Sequence, residues 1–288
     1  MENELNIALN QPIDLIVIVV KKAAIRCRIL KTGKFITFRK TTSMYSEVEG
    51  EILTVKPSKV WIFRKNYYVT GDIISKRLDI PALQFKPLML NSMGKWNPED
   101  EYWGEPDEPI NLYFKPIIDF GTRESFEMEQ IIPCADIENM VDPIIDASEY
   151  YEQGDYDKAY KIIENILITD LRCLDAHAHL GNWDFNHTDK SNLQIIDKAK
   201  RHYEAGVKIG ELSLGEEFNG VLPWGHIDNR PFLRCLHGYG LSLWRLGDNK
   251  TAKKIFEKML WLNPADNQGV RFLLEDIDAG RSWYDLKE

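Results

Sequence analysis

Cysteine is scarce in this chain: four among 288 residues, Cys27, Cys134, Cys173 and Cys235, far apart and with no CxxC pair. That spacing argues against a disulfide framework and against a thiolate zinc site, and it fits reduced, buried thiols. Long apolar runs are absent as well. Leu15–Val20 falls far short of the ~20 residues that a spanning helix needs. Acidic Glu2, Glu4 and Asp14 precede that run and Lys21 and Lys22 follow it, the reverse of a secretory signal, so the cytoplasm is the expected compartment. Signatures of catalysis are missing: no glycine-rich phosphate loop, no GxSxG, no HExxH and no cysteine in a nucleophile setting. Glu216-Glu217 and the Glu149/Glu152 pair read as solvated acid. His177 and His179 form an HxH pair near Asp184, His187 and Asp189, but helical residues two apart point about 200° from each other and cannot chelate one metal. The expectation is a non-enzyme without cofactor or metal. An enzyme whose site assembles from residues remote in sequence is the least favoured alternative.

Positive charge is in deficit overall, with 36 Lys+Arg against 45 Asp+Glu and a formal charge of −9. A uniformly basic nucleic-acid binder is thereby excluded, but a local one is not. Residues 1–90 carry +7 and residues 91–288 carry −16. The composition is that of an ordinary globular chain, and its length suggests about two domains.

What is present changes character along the chain. Residues 1–90 read as a small basic β domain. Asp14–Val20 is β-branched, Ala23–Leu30 alternates with period two, and Lys34–Arg39 follows a Thr32-Gly33 turn. Gly50–Val55 and Val60–Phe63 read as two strands separated by a turn at Lys56-Pro57-Ser58-Lys59. Tyr67–Thr70 is a fifth strand ended by Gly71-Asp72, and Ile73–Leu78 a short final strand or helical turn. So many short strands imply a small barrel, SH3-like or OB-like. Its candidate nucleic-acid residues are Arg26, Arg28, Lys34, Arg39, Lys40, Lys59, Trp61, Arg64 and Lys65, with Lys21, Lys22, Lys31, Phe35, Phe38, Tyr45, Phe63, Tyr67 and Tyr68 interleaved. Cations neutralise phosphates and aromatic rings stack on unpaired bases. The plainer readings are edge-strand protection, core aromatics, or docking on the acidic remainder of the chain.

Residues 91–136 read as an ordered Pro/Gly-rich connector. Asn91–Ile110 holds Trp96, Tyr102 and Trp103 between prolines and glycines and reads as an ordered clasp between domains, with a binding lid as the alternative. Asn111–Phe114 and Ile117–Phe120 read as strands divided by Lys115-Pro116.

From residue 137 the period becomes about 3.6. Gly154-Asp155-Tyr156 leads to Ala159 and Ile163, and Gly247-Asp248-Asn249 leads to Ala252 and Phe256. In both, Gly precedes Ala by five residues. Counting back from Pro264 finds Phe256, Ala252 and Gly240 at 8, 12 and 24 residues, with Leu236 and Leu243 on the preceding helix. This resembles the tetratricopeptide repeat, a 34-residue helix–turn–helix. A first repeat departs from the pattern at Ala147 and Leu171. A middle repeat pairs Leu180-Gly181 with Ala199 and Tyr203, with extra residues near Asn186–Lys190 and again over Ser213–Pro231. Asn267–Ile277 would be a cap helix.

The predicted class is therefore α+β: a small N-terminal barrel followed by tetratricopeptide-like repeats over 137–288. The resemblance implies a groove for a protein or peptide, hence a non-catalytic adaptor or scaffold, and the lack of a long apolar run predicts no membrane span. Some relatives grip a C-terminal carboxylate, but here the corresponding positions hold Ile144, Ser148, Ala178, Asn182, His237 and Leu241, and only Asn182 suits that clamp. The insertion Leu222–Arg234 is the more unusual stretch. Asn229 is placed to cap the next helix, and Pro231 suits its first turn. Trp224, His226, Arg230 and Arg234, with His237 and Asn182 in the groove, are the candidate partner-binding residues. Beyond Pro264, Asp266 or Asn267 is placed as an N-cap. The alternative function is a nucleic-acid-associated adaptor that uses the basic β domain.

Overall fold

The computed structural model describes residues 5, 7–21, 24–40, 46–105, 109–136, 141–186 and 192–287. Lys22, Tyr45, His187 and Asp189 from the sequence reading lie outside them. Two compact units emerge, each built from two stretches of chain: Met1–Phe85 with Ile132–Ala176, and Lys86–Ile131 with His177–Glu288. The segments 1–90, 91–136 and 137–288 are thus regrouped, the first helical hairpin joining the barrel and the connector joining the later helices. The first unit holds 17 Lys+Arg and 19 Asp+Glu, so the charge step near residue 90 lies inside the chain's wiring and separates neither unit from the other.

In the first unit, strands β1 (Ile13–Lys21), β2 (Ala24–Ile29), β3 (Phe35–Arg39), β4 (Ile52–Phe63) and β5 (Asn66–Arg77) close a barrel in the order β1-β2-β3-β5-β4. β3 and β5 run parallel and β4 returns to β1, a Greek-key closure of the OB type. Alternation builds the core: Val17, Ile25, Cys27, Ile36, Phe38, Leu53, Val55 and Val69 are fully buried.

Two sequence expectations are corrected here. Lys56–Lys59 is no turn, because β4 runs straight through Pro57, whose missing N–H falls where the ladder to β5 slips register between Pro57 and Lys59. Gly71 does not end the fifth strand either. It faces Pro57, and a Cβ there would sit 2.1 Å from the Lys56 carbonyl oxygen. The glycine is required for two backbones to approach at this bulge, and β5 continues to Arg77. Before β4, Glu47, Glu49 and Glu51 are buried. Glu47 pairs with Lys40 at 2.5 Å and Lys76 at 2.9 Å, and Glu49 accepts the Val20 N–H. Helices α2 (Pro143–Glu152) and α3 (Tyr156–Thr169) form the unit's hairpin, with α3 against β1. Asp142 caps α2 and Asp155 caps α3.

In the second unit, β6 (Leu90–Trp96) pairs antiparallel with β7 (Arg123–Met128), and Val221 adds a parallel bridge to Ser125. Asn111–Phe120 departs from expectation: residues 112–114 turn and Lys115–Phe120 is a helix, α1, because Pro116 in a first turn costs no hydrogen bond. Trp96 and Trp103 meet edge-on and Trp103 lies against Phe114, all within this unit. Tyr102 points outward, 74% exposed. Helices α4 (Leu174–Phe185, in this unit from His177), α5 (Leu193–Leu214), α6 (Arg230–Arg245), α7 (Asn249–Leu262) and α8 (Val270–Asp278) follow.

The tetratricopeptide-like register appears as a repeated contact. A Cβ on Gly240 would strike the Phe256 ring at 2.4 Å, and one on Gly181 would strike Tyr203 at 2.6 Å. Each small residue on a first helix therefore admits the aromatic residue of the second. In the α2–α3 pair, Ala147 and Ile163 hold these positions, both fully buried, a larger small residue opposite a smaller large one. Gly154 and Gly247 repeat too, each at φ above +80° and each followed by a capping aspartate. The insertion before α6 is partly helical, since α5 runs on to Leu214.

Candidate functional site

Two surfaces collect the residues singled out by sequence, one in each unit. In the second unit, α6 carries Arg230, Arg234, His237 and Leu241 at helical spacing, so they form one stripe, and each is half-buried. Trp224 sits at the head of this stripe. The Arg230 guanidinium lies 5.3 Å from the Trp224 ring centre and that of Arg234 6.0 Å. Arg230 Nε also donates to the Trp224 carbonyl at 3.0 Å, and the Trp224 N–H donates to Asn263 Oδ1. The Trp224 backbone is thus held at both its carbonyl and its N–H, and two cations lie beside its ring. No acidic residue occupies the first turn of α6. Asp228 lies just ahead of the helix, and burial together with Glu127 raises its pKa.

His237 packs beside Phe256, and burial lowers its pKa to about 4, so the imidazole is neutral at pH 7. Asn182 accepts a 2.6 Å hydrogen bond from the Tyr203 hydroxyl, whose ring also lies over Gly238. His237 is uncharged and Asn182 is a neutral amide, so neither supplies the cationic grip of a carboxylate clamp. His226 turns away from the stripe, its Nε2 3.5 Å from Ser125 Oγ of β7.

Asn229 is corrected: its side chain does not cap α6. Fully buried, it accepts the Met128 N–H at 2.8 Å and donates to the carbonyls of Phe126 and Pro223 at 2.9 and 3.0 Å. It ties the 222–229 loop to β7. Asp266 does serve α8, accepting the N–H groups of Val270 and Arg271 and pairing with the Arg271 guanidinium. Arg123 went unseen in the sequence. It is 3% exposed, donates to the Trp261 carbonyl at 2.7 Å and lies between the Trp96 and Trp261 rings, 4.7 and 4.3 Å from their centres. Burial lowers its pKa to about 10. The only sequence signal was its place at the head of the alternating Arg123–Met128 run.

In the first unit, the outer face of β2-β3-β5-β4 gathers most of the basic and aromatic candidates. One row across the strands is Arg26, Thr37, Tyr68 and Trp61; the flanking rows bring Arg28 and Phe35, and Arg39 and Lys59. Trp61 and Tyr68 stack at 5.4 Å with planes 15° apart. Arg64 and Lys65 form the exposed β4–β5 turn, both at positive φ, with the Arg64 guanidinium over Phe63. Lys34 lies exposed in the β2–β3 turn. Lys40 is not part of this face in the expected sense, because buried Glu47 neutralises it. Phe38 is core.

No helix among the described residues is long and apolar enough to cross a membrane. No protein-family model matches the chain, and no curated protein matches it. Among solved structures, the first tetratricopeptide domain of Spaghetti (RPAP3), bound to the HSP90 peptide SRMEEVD, is similar at 18% identity and a TM-score of 0.35. The match covers 48% of this chain and 89% of that one.

Proposed function

We propose that this chain is a non-catalytic adaptor that captures an acidic peptide or protein segment along the α6 stripe of its second unit. The observation that carries this reading is the placement of Arg230 and Arg234 on the Trp224 ring. Like charges four residues apart on a helix repel, and cations at a helix N-terminus oppose its dipole. The two guanidiniums thus concentrate positive charge at the start of α6, and the ring face offsets part of its cost. Held half-buried beside the Trp224 indole, they suit an incoming carboxylate next to an apolar or aromatic side chain, the composition of an interface anchor. Neutral His237 and Leu241 continue the stripe as an uncharged floor. The test is affinity capture by the full chain followed by mass spectrometry, compared between wild type and the Arg230→Ala/Arg234→Ala double variant. We expect at least one partner to be lost from a variant whose circular dichroism is unchanged. An identical set of captured proteins would overturn the reading.

A further inference from the structure

We infer that the outer β2-β3-β5-β4 face of the barrel binds single-stranded nucleic acid. Three observations on this face converge. First, aromatic rings are held outward where a core would not use them: Phe35 is 41% exposed and Phe63 55% exposed. Exposed aromatics cost apolar hydration, and with half-buried Trp61 and Tyr68 these two rings form a platform over β3, β5 and β4 about 10 Å wide, given strands ~4.8 Å apart. Second, each ring carries its own cation. Arg26 lies 4.9 Å from the Phe35 centre, Arg39 5.8 Å from Tyr68 and Lys59 5.6 Å from Trp61. Third, among the described residues the ladder brings only Thr37, Thr70 and Asn66 between these groups, and the carboxylate of exposed Asp72 follows one row beyond Thr70, opposite Lys56.

Cations with no acid among them suit a polyanion, and the rings select which one. A polyanionic protein segment would use the charge and leave the rings idle. Duplex DNA would present phosphates but keep its bases stacked inside. Single strands use both, with phosphates on the cations and bases on the exposed rings. The strand order places the surface suitably. β1, which α3 contacts, adjoins β2 and β4, whereas β3 and β5 are the two strands not next to it. The acidic hairpin of the unit therefore covers the side remote from the β3–β5 pair.

Fluorescence anisotropy with the full chain tests this, using (dT)20, (U)20, a 20-base-pair duplex and polyglutamate as probes. Binding of (dT)20 or (U)20 at 50 mM salt is expected, about tenfold or more tighter than the duplex. Its affinity should fall with log salt at a slope of about −3, from four cations at ~0.7 each. The two single-stranded probes separate DNA from RNA as the source. Phe35→Ala and Phe63→Ala, both at exposed positions, should each weaken binding at least about fivefold. Arg26→Gln/Arg39→Gln should flatten the salt slope by about 1.4. No binding of either single strand, equal binding of duplex or polyglutamate, or unchanged affinity in both phenylalanine variants with wild-type melting would overturn the inference.

Discussion

His237 shows how a histidine on a half-buried helix stripe can add no charge to it. Its pKa of about 4 lies below the ordinary histidine value near 6.5, because burial disfavours the imidazolium. As pH falls, the unfolded chain takes up the proton first. The contribution to stability is therefore complete above pH 6.5 and is lost between there and about pH 4, amounting to about 1–3 kcal/mol. The urea midpoint of wild type should fall more steeply across that window than that of His237→Gln, and parallel curves would show that the ring is not the responsible group. The sequence marked His237 as a groove position from the repeat register alone. It could not show the neutral state, since the burial that causes it depends on Phe256, nineteen residues further on.

At the level of elements, legibility followed the range of the interaction. β1 to β3 and the α6–α7 pair were read closely, since their patterns of period two and 3.6 are local. The β4 and β5 strands were cut at Pro57 and Gly71 because both residues are usually punctuation. Only their position opposite each other across a bulge makes them strand residues. The β7 strand was missed because its partners, β6 and Val221, lie about thirty and a hundred residues away. Asn229 is the hinge of that arrangement. Asn229→Ala leaves a buried N–H and two carbonyls without their partner and should lower stability by about 2–3 kcal/mol. Faster hydrogen exchange of the Met128 amide should accompany the loss, and a variant within about 0.5 kcal/mol of wild type would remove Asn229 from this role. Of the candidate partner residues, the sequence grouped Trp224, Arg230 and Arg234 rightly as neighbours; His226 and Asn182 have found internal partners instead.

For the whole molecule, the two surfaces call for separable behaviour. Arg230→Ala/Arg234→Ala should leave (dT)20 affinity within about twofold of wild type, while Phe35→Ala/Phe63→Ala should leave the captured partners unchanged. A variant that abolishes both readouts while still folded would mean that one surface serves both. The interleaved wiring of the units has a different consequence, which concerns synthesis. The barrel strands are complete by Arg77, yet the hairpin packed on β1 is not made until Thr169. β6 and β7 emerge before the Val221 and Asn229 that complete their hydrogen bonding. A nascent chain must therefore hold a half-covered barrel and an unfinished two-stranded ribbon, with its β7 edge open, while the next hundred residues leave the ribosome. At ~5–20 residues per second that interval lasts several seconds or more. It is during this interval, rather than in the finished fold, that the chain is most exposed to misassociation and most suited to chaperone protection.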